Sequence, residues 1–270
     1  MNAPVRGRRT AAAFEARAAR AERLAGAAPA ASDPLRFAAG LCRAQGRVAA
    51  DLEALHEARP LAGKLGADLE RALPHLLEVA RFAARSAPAP LAAAAAVRRD
   101  DEEATARSRL ELYWNGDSHS SDDYLSRAML RPYVETLREH RISPDRLHSP
   151  KRCPFCGGAP IVGGRRGGSE SEGAARFLSC ALCGLEWPIT RILCPACFED
   201  DPHGLPTFAS PDHPLARIEA CETCRRYLKT IDLSQDARPL PEIDDLASIA
   251  LDLWAVEQGF IRLEPGLAGL

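Results

Sequence analysis

Eight of the nine cysteines in this chain fall into four pairs of one form, C-x2-C: Cys153/Cys156, Cys180/Cys183, Cys194/Cys197 and Cys221/Cys224. Two intervening residues let the backbone turn sharply enough to aim both sulfurs at one ion. In "CPFCGG" (153–158) a proline after the first cysteine stiffens the turn, and a glycine after the second tolerates the positive φ such knuckles commonly need. Backbone N–H groups in the turn can then donate to the thiolates. Each pair is thus half of a tetrahedral tetrathiolate site and needs a partner pair.

The spacing points to the partner. Residues 153–183 and 194–224 both read C-x2-C-x23-C-x2-C, and every cysteine of the first set recurs 41 positions later. A repeated unit is most simply two consecutive ribbons, each closing its own site: Cys153, Cys156, Cys180 and Cys183, then Cys194, Cys197, Cys221 and Cys224. A cross-braced pairing, first with third and second with fourth, also uses all eight ligands. Four thiolates suit zinc and equally suit iron, so two metal ions per chain, iron or zinc, are expected. With every coordination position filled by sulfur, neither site leaves an opening for water or substrate. Lewis-acid hydrolysis is disfavoured, and the expected roles are structural or electron-transferring.

Metal binding is preferred over disulfides because no export signal is read: the twin arginines Arg8 and Arg9 are followed by Glu15, Arg17, Arg20, Glu22 and Arg23 instead of an apolar run. The apolar window at 87–97 is about half a membrane span and rich in alanine, so a soluble cytoplasmic protein without membrane insertion is expected. The formal charge of −2 provides no field for nucleic acid. Residues 151–230 hold ten Lys+Arg against nine Asp+Glu, and tetrathiolate sites add about two negative charges each with a divalent ion, so no nucleic-acid partner is expected there.

The remaining chain reads mostly as helix. Residues 32–55 open with Ser32 or Asp33 as cap and Pro34 in the first turn, and place Leu41, Val48, Leu52 and Leu55 on one face. Cys42, beside that face, reads as a buried core residue. A second pattern joins Leu69, Leu73, Leu76, Leu77 and Ala80, with Pro74 expected to kink or divide it, and a break follows at 86–90. A third helix is expected over 120–140 with Pro132 inside. From 151 the texture changes to short strand-like pieces such as "ARFLSC" and "WPITRILC". The tail at 242–263 is again helical, with Leu246, Ile249, Ala250, Leu253, Val256 and Phe260 expected on one side and Asp244 and Asp245 at its amino end, favoured there by the helix dipole.

The fold class is therefore α+β: an all-α amino-terminal domain, two tandem rubredoxin-like or zinc-ribbon metal domains and a carboxy-terminal helix. The expected divisions are an arm at 1–30, a helical domain at 31–148, metal domains at 149–188 and 189–235, and helix and tail at 236–270. Other candidates are weak. The loop at 163–173 is glycine-rich but lacks the Gly-Lys-Ser/Thr ending of a phosphate loop, and reads as the tip of the first ribbon. His203 and His213 read as surface residues and His119 as part of a polar loop, so no catalytic residue is assigned.

The tracts "CPFCGGAPIV", "FLSCALCGLEWPITRILCPAC", "EACETCRRYLKTIDL" and "DDLASIALDLWAVEQGF" resemble the formate dehydrogenase accessory proteins of the bacterial FdhE family, over about 150–262. The resemblance implies a cytoplasmic, non-catalytic assembly factor with a helical domain and two rubredoxin-like metal domains. It also implies the catalytic subunit of formate dehydrogenase as partner, and leaves dimerisation open. Only the eight cysteines carry over as functional positions. Phe198 and Arg225 stand where a knuckle glycine is expected, so the second site is expected to be looser or differently hydrogen-bonded.

Overall fold

The structure is a computed structural model that describes residues 7–116, 123–167, 174–234 and 236–266. Contacts divide it into two compact units. One comprises Met1–Ala19, Phe37–His148 and the short segment Phe155–Gly157; the other comprises Arg20–Arg36, Ser149–Pro154 and Gly158–Leu270.

Among the described residues, six α-helices lie before residue 140: α1 (Gly7–Ala27), α2 (Ser32–Ala58), α3 (Leu65–Ser86), α4 (Ala89–Asp100), α5 (Glu103–Asn115) and α6 (Asp123–Glu139). In α2 and α3 burial follows a stripe that the sequence explains. In α2, Leu41, Val48 and Leu52 are buried and Cys42 lies among the core residues, as the periodicity predicts, while Leu55 is half-exposed. In α3, Leu69, Leu73, Leu76 and Ala80 are buried. Pro74 does not divide α3, which runs unbroken through it. That proline is exposed, so water can take the carbonyl freed one turn back. The alanine-rich window becomes α4, entered through Pro88 and packed on α3. Among the described residues, no helix is long and apolar enough to cross a membrane.

α6 is the centre of the helical unit. Every residue from Tyr124 to Leu137 is buried, charged ones included. The carboxylate of Glu135 is held from two sides, by Arg17 at 2.9 Å and by Arg131 at 2.8 Å, so the burial does not strand a charge. Asp145 ties α5 to the start of α3: it accepts the indole N–H of Trp114 at 2.9 Å and the N–H of Leu65 at 3.2 Å. Asp68 accepts the hydroxyl of Tyr133 at 2.7 Å and the N–H groups of Ala62 and Gly63.

The second unit carries the sheet: β1 (Pro160–Arg166), β2 (Ala175–Cys180), β3 (Glu186–Pro188), β4 (Thr207–Ala209), β5 (Ala216–Ala220), β6 (Arg226–Asp232) and β7 (Ile261–Arg262). The two expected ribbons appear as β1-β2-β3 and β4-β5-β6, but they are not separate. Their strands form one sheet in the order β3-β2-β1-β6-β5-β4. The join is a parallel pairing of β1 with β6, Gly163 opposite Thr230 and Arg165 opposite Asp232. β7 pairs in parallel with Arg226 and Tyr227 at the start of β6.

The join also corrects the reading of 163–173 as a loop, because Gly163 to Arg166 belong to β1; residues 168–173 lie outside the described residues. The glycines serve close packing. A Cβ on Gly163 would meet the Thr230 hydroxyl at 2.5 Å, and one on Gly164 would meet the Phe177 ring at 2.0 Å.

The tail is two helices rather than one, α7 (Pro241–Ala247) and α8 (Ile249–Glu257), interrupted at Ser248. The interruption shifts the helical phase. Leu246, Leu251 and Ala255 are buried, whereas Leu253 and Val256, expected on the inner face, are exposed.

Candidate metal centres

In all four C-x2-C turns the N–H of the first cysteine donates to the carbonyl five residues on: Cys153 to Gly158, Cys180 to Leu185, Cys194 to Glu199 and Cys221 to Arg226, at 2.8–2.9 Å. These closures fold each turn into a knuckle. Further N–H groups point at sulfur: Leu182 and Cys183 donate to Cys180 Sγ at 3.4 and 3.5 Å, Leu185 to Cys183 Sγ at 3.4 Å, and Ala196 to Cys194 Sγ at 3.4 Å. They would favour the thiolate form and orient it.

The knuckles gather the cysteines into two groups, Cys153, Cys156, Cys180 and Cys183, and Cys194, Cys197, Cys221 and Cys224, with the sulfurs of each within 4.8 Å of one another. This is the sequential grouping, not the cross-braced one. Sulfurs about 2.3 Å from a tetrahedral ion stand roughly 3.8 Å apart. The separations Cys153–Cys183 (3.5 Å), Cys194–Cys224 (3.8 Å) and Cys197–Cys221 (3.6 Å) fit that spacing and are far beyond the ~2.05 Å of a disulfide. Four soft sulfur donors at this spacing suit one zinc or iron ion per group. In the second group burial pushes the Cys224 thiol up to about 12 and raises that of Cys194. At Cys221 burial opposes ionisation, but hydrogen bonds from the Cys224 N–H and from neighbouring sulfurs lower the thiol. Crowded thiols that resist ionising together are the arrangement a cation would relieve.

The groups differ in their surroundings. All four cysteines of the first are buried, whereas Cys197 and Cys224 in the second are half-exposed. The residue after each second cysteine has positive φ in every knuckle: Gly157 at 66°, Gly184 at 64°, Phe198 at 70° and Arg225 at 56°. In the first group glycine adopts this conformation freely; in the second, side chains are forced into it at about 1–2 kcal/mol each. Their side chains are used in return. The Arg225 guanidinium lies 3.9 Å over the ring of Phe260 and donates to the Gln258 carbonyl at 2.7 Å, and Lys151 sits 5.1 Å from the Phe198 ring.

His203 is bound to Asp201 at the surface, and His213 is absent from both groups. His119 lies outside the described residues. Asp244 accepts the Leu240 N–H at 2.7 Å at the start of α7 and pairs with Arg20. Asp245 instead belongs to a buried cluster the sequence reading missed. Lys229, fully buried, lies 3.1 Å from Asp245 and 2.5 Å from Asp252, while Arg262 binds the same two carboxylates at 2.8 and 2.9 Å. Tyr227 donates to Asp252 at 2.9 Å. Two cations and two anions cancel, so the cluster clamps β6 to α7, α8 and β7 without stranding charge. Its sequence signal was a lysine and an arginine set within short strands, with partners 10 to 23 residues away.

Comparison with known proteins places these features together. Residues 152–191 match the central domain of FdhE and residues 204–267 its C-terminal domain. A protein FdhE homolog of Aquifex aeolicus is 39% identical over 117 residues, which is 43% of this chain and 41% of the relative. One from Pseudomonas putida is 35% identical over 145 residues, 50% of this chain and 43% of the relative. The matched stretches thus span about two fifths of the length of these relatives. Over nearly the whole chain, the structure is similar to the crystal structure of the FdhE protein from Pseudomonas aeruginosa, with a TM-score of 0.68, 29% identity, and 94% of this chain and 95% of that one covered.

Proposed function

Because the chain belongs to the FdhE family, we propose that it is a formate dehydrogenase accessory protein that holds the enzyme's catalytic subunit in the cytoplasm during maturation and catalyses no reaction itself. The single observation that carries this reading is the pair of tetracysteine groups, each complete in sulfur. Four thiolates around an ion leave no position for substrate or water, so metal here would shape a binding body instead of activating a reactant.

A second reading, electron transfer to or from the client through an iron tetrathiolate, is favoured by one feature. Cys197 and Cys224 are half-exposed, which brings the second group within reach of a partner's surface.

Two measurements test these readings. In cells lacking the natural protein, Cys153→Ser with Cys156→Ser is expected to abolish formate dehydrogenase activation, and full activation by that variant would defeat the accessory reading. Protein purified without air is expected to contain two metal ions per chain. Iron with thiolate-to-metal absorption that bleaches on reduction would sustain electron transfer, and zinc alone would end it.

A further inference from the structure

Beside the second cysteine group, the sheet unit encloses a cavity of about 220 Å³ whose wall carries four arginines, Arg165, Arg176, Arg191 and Arg226, and one acid, Glu219. The acid is already used: Arg176 binds Glu219 at 2.7 Å and donates to the carbonyls of Thr190 and Leu193, which fixes the wall. The other three guanidiniums have no carboxylate in the cavity. Arg191 and Arg226 are exposed and make no ion pair or side-chain hydrogen bond among the described residues. Arg165 is half-buried, and its Nε is shut away from water without a hydrogen-bond partner. Burial opposes ionisation of the neighbouring Asp232, but hydrogen bonds from Ser234 and the charges of Arg217, at 2.8 Å, and Arg165 hold its carboxyl below the usual range, so Arg165 is partly balanced from outside the cavity.

One buried guanidinium donor and two exposed guanidiniums around one concavity make a positive lining suited to an anion. Such positive charge is usually dispersed or neutralised unless a ligand supplies the counter-charge. Beside Thr207 and Tyr227, the remaining wall includes the apolar residues Ile192, Leu193, Leu205 and Leu263. The volume falls below the roughly 300–1,000 Å³ of sites for drug-sized molecules and cofactors. It suits one or two side chains.

We propose that this cavity is a carboxylate-binding site that takes an acidic residue or carboxy terminus flanked by apolar residues on an extended polypeptide. Forked guanidiniums match a carboxylate in shape and charge, and the apolar wall residues receive the neighbouring side chains. Cys194 and Cys221 line the same cavity, so the occupant would lie against the second cysteine group. The site stands on the cavity's own residues and does not depend on the accessory role or on which client is served.

The test uses the full-length metal-loaded chain and a fluorescent peptide of alternating Glu and Leu, measured by anisotropy at low salt against the same peptide with Gln for Glu. The Glu peptide is expected to bind at least tenfold more tightly than the Gln peptide. Arg191→Glu and Arg226→Glu, both at exposed side chains, are each expected to weaken it tenfold or more with metal content and circular dichroism unchanged. Equal binding of the two peptides, no binding of either, or unchanged affinity in both variants would overturn the site. Succinate and inorganic phosphate serve as competitors: displacement only at concentrations far above the peptide's Kd supports a polypeptide occupant. Displacement by either at the peptide's own Kd overturns that occupant in favour of a free anion.

Discussion

The two cysteine groups share one ligand pattern and one knuckle, yet the first is a closed site and the second a strained, half-open one. In the first, glycine meets the positive φ of both knuckles and all four sulfurs are buried. In the second, Phe198 and Arg225 occupy that conformation and two cysteines reach solvent. The second also borders the arginine-lined cavity. One repeated ligand spacing therefore yields two different settings, one closed and one open to solvent.

Three experiments would break or sharpen this contrast. The largest effect is expected from Gly157→Ala. Its Cβ would lie 2.2 Å from the Leu147 carbonyl oxygen, a backbone clash added to the ~1–2 kcal/mol of left-handed strain. Loss of about 3 kcal/mol or more in a denaturant melt is expected, with the metal at the first site weakened. Wild-type stability in this variant would show that the first site is no tighter than the second. Next is the rate of metal loss to a chelator. Two phases are expected, the faster at least tenfold quicker and missing from Cys197→Ser with Cys224→Ser. A single phase in the wild-type protein would erase the distinction. The smallest effect is that of Phe198→Gly, which relieves strain while adding freedom to the unfolded chain. A gain within about 1 kcal/mol in stability and slower chelation at the second site are expected. A loss would mean the Phe198 ring contributes more than its conformation costs.

The cysteine pattern was legible because each knuckle is local: the two ligands, the turn residue after them and the carbonyl that closes the turn lie within six residues. The strained conformation at Phe198 and Arg225 could also be read, since the left-handed position is set by the turn. What joins distant residues was not legible. Nothing in "PIVGGRR" announces that β1 will lie parallel to β6, and its glycines read as loop until Thr230 and Phe177 are seen against them. Lys229, Asp245, Asp252 and Arg262 come from β6, α7, α8 and β7, and no local period links them. The tail misled for a different reason. Its apolar residues fit one continuous helix, but the break at Ser248 rotated Leu253 and Val256 outward. In α6, charged residues such as Arg131 and Glu135 are buried as partners, a state composition alone cannot distinguish from a solvated face.

The parallel seam between β1 and β6 bears on how the chain is made. At bacterial elongation speeds, the ribosome needs on the order of several seconds to travel from Gly163 to Thr230. During that interval the first cysteine group can already have all its ligands, while β1 still presents an unpaired edge to solvent. Newborn chains would be most prone to aggregate in that window, and a shortage of metal would prolong it.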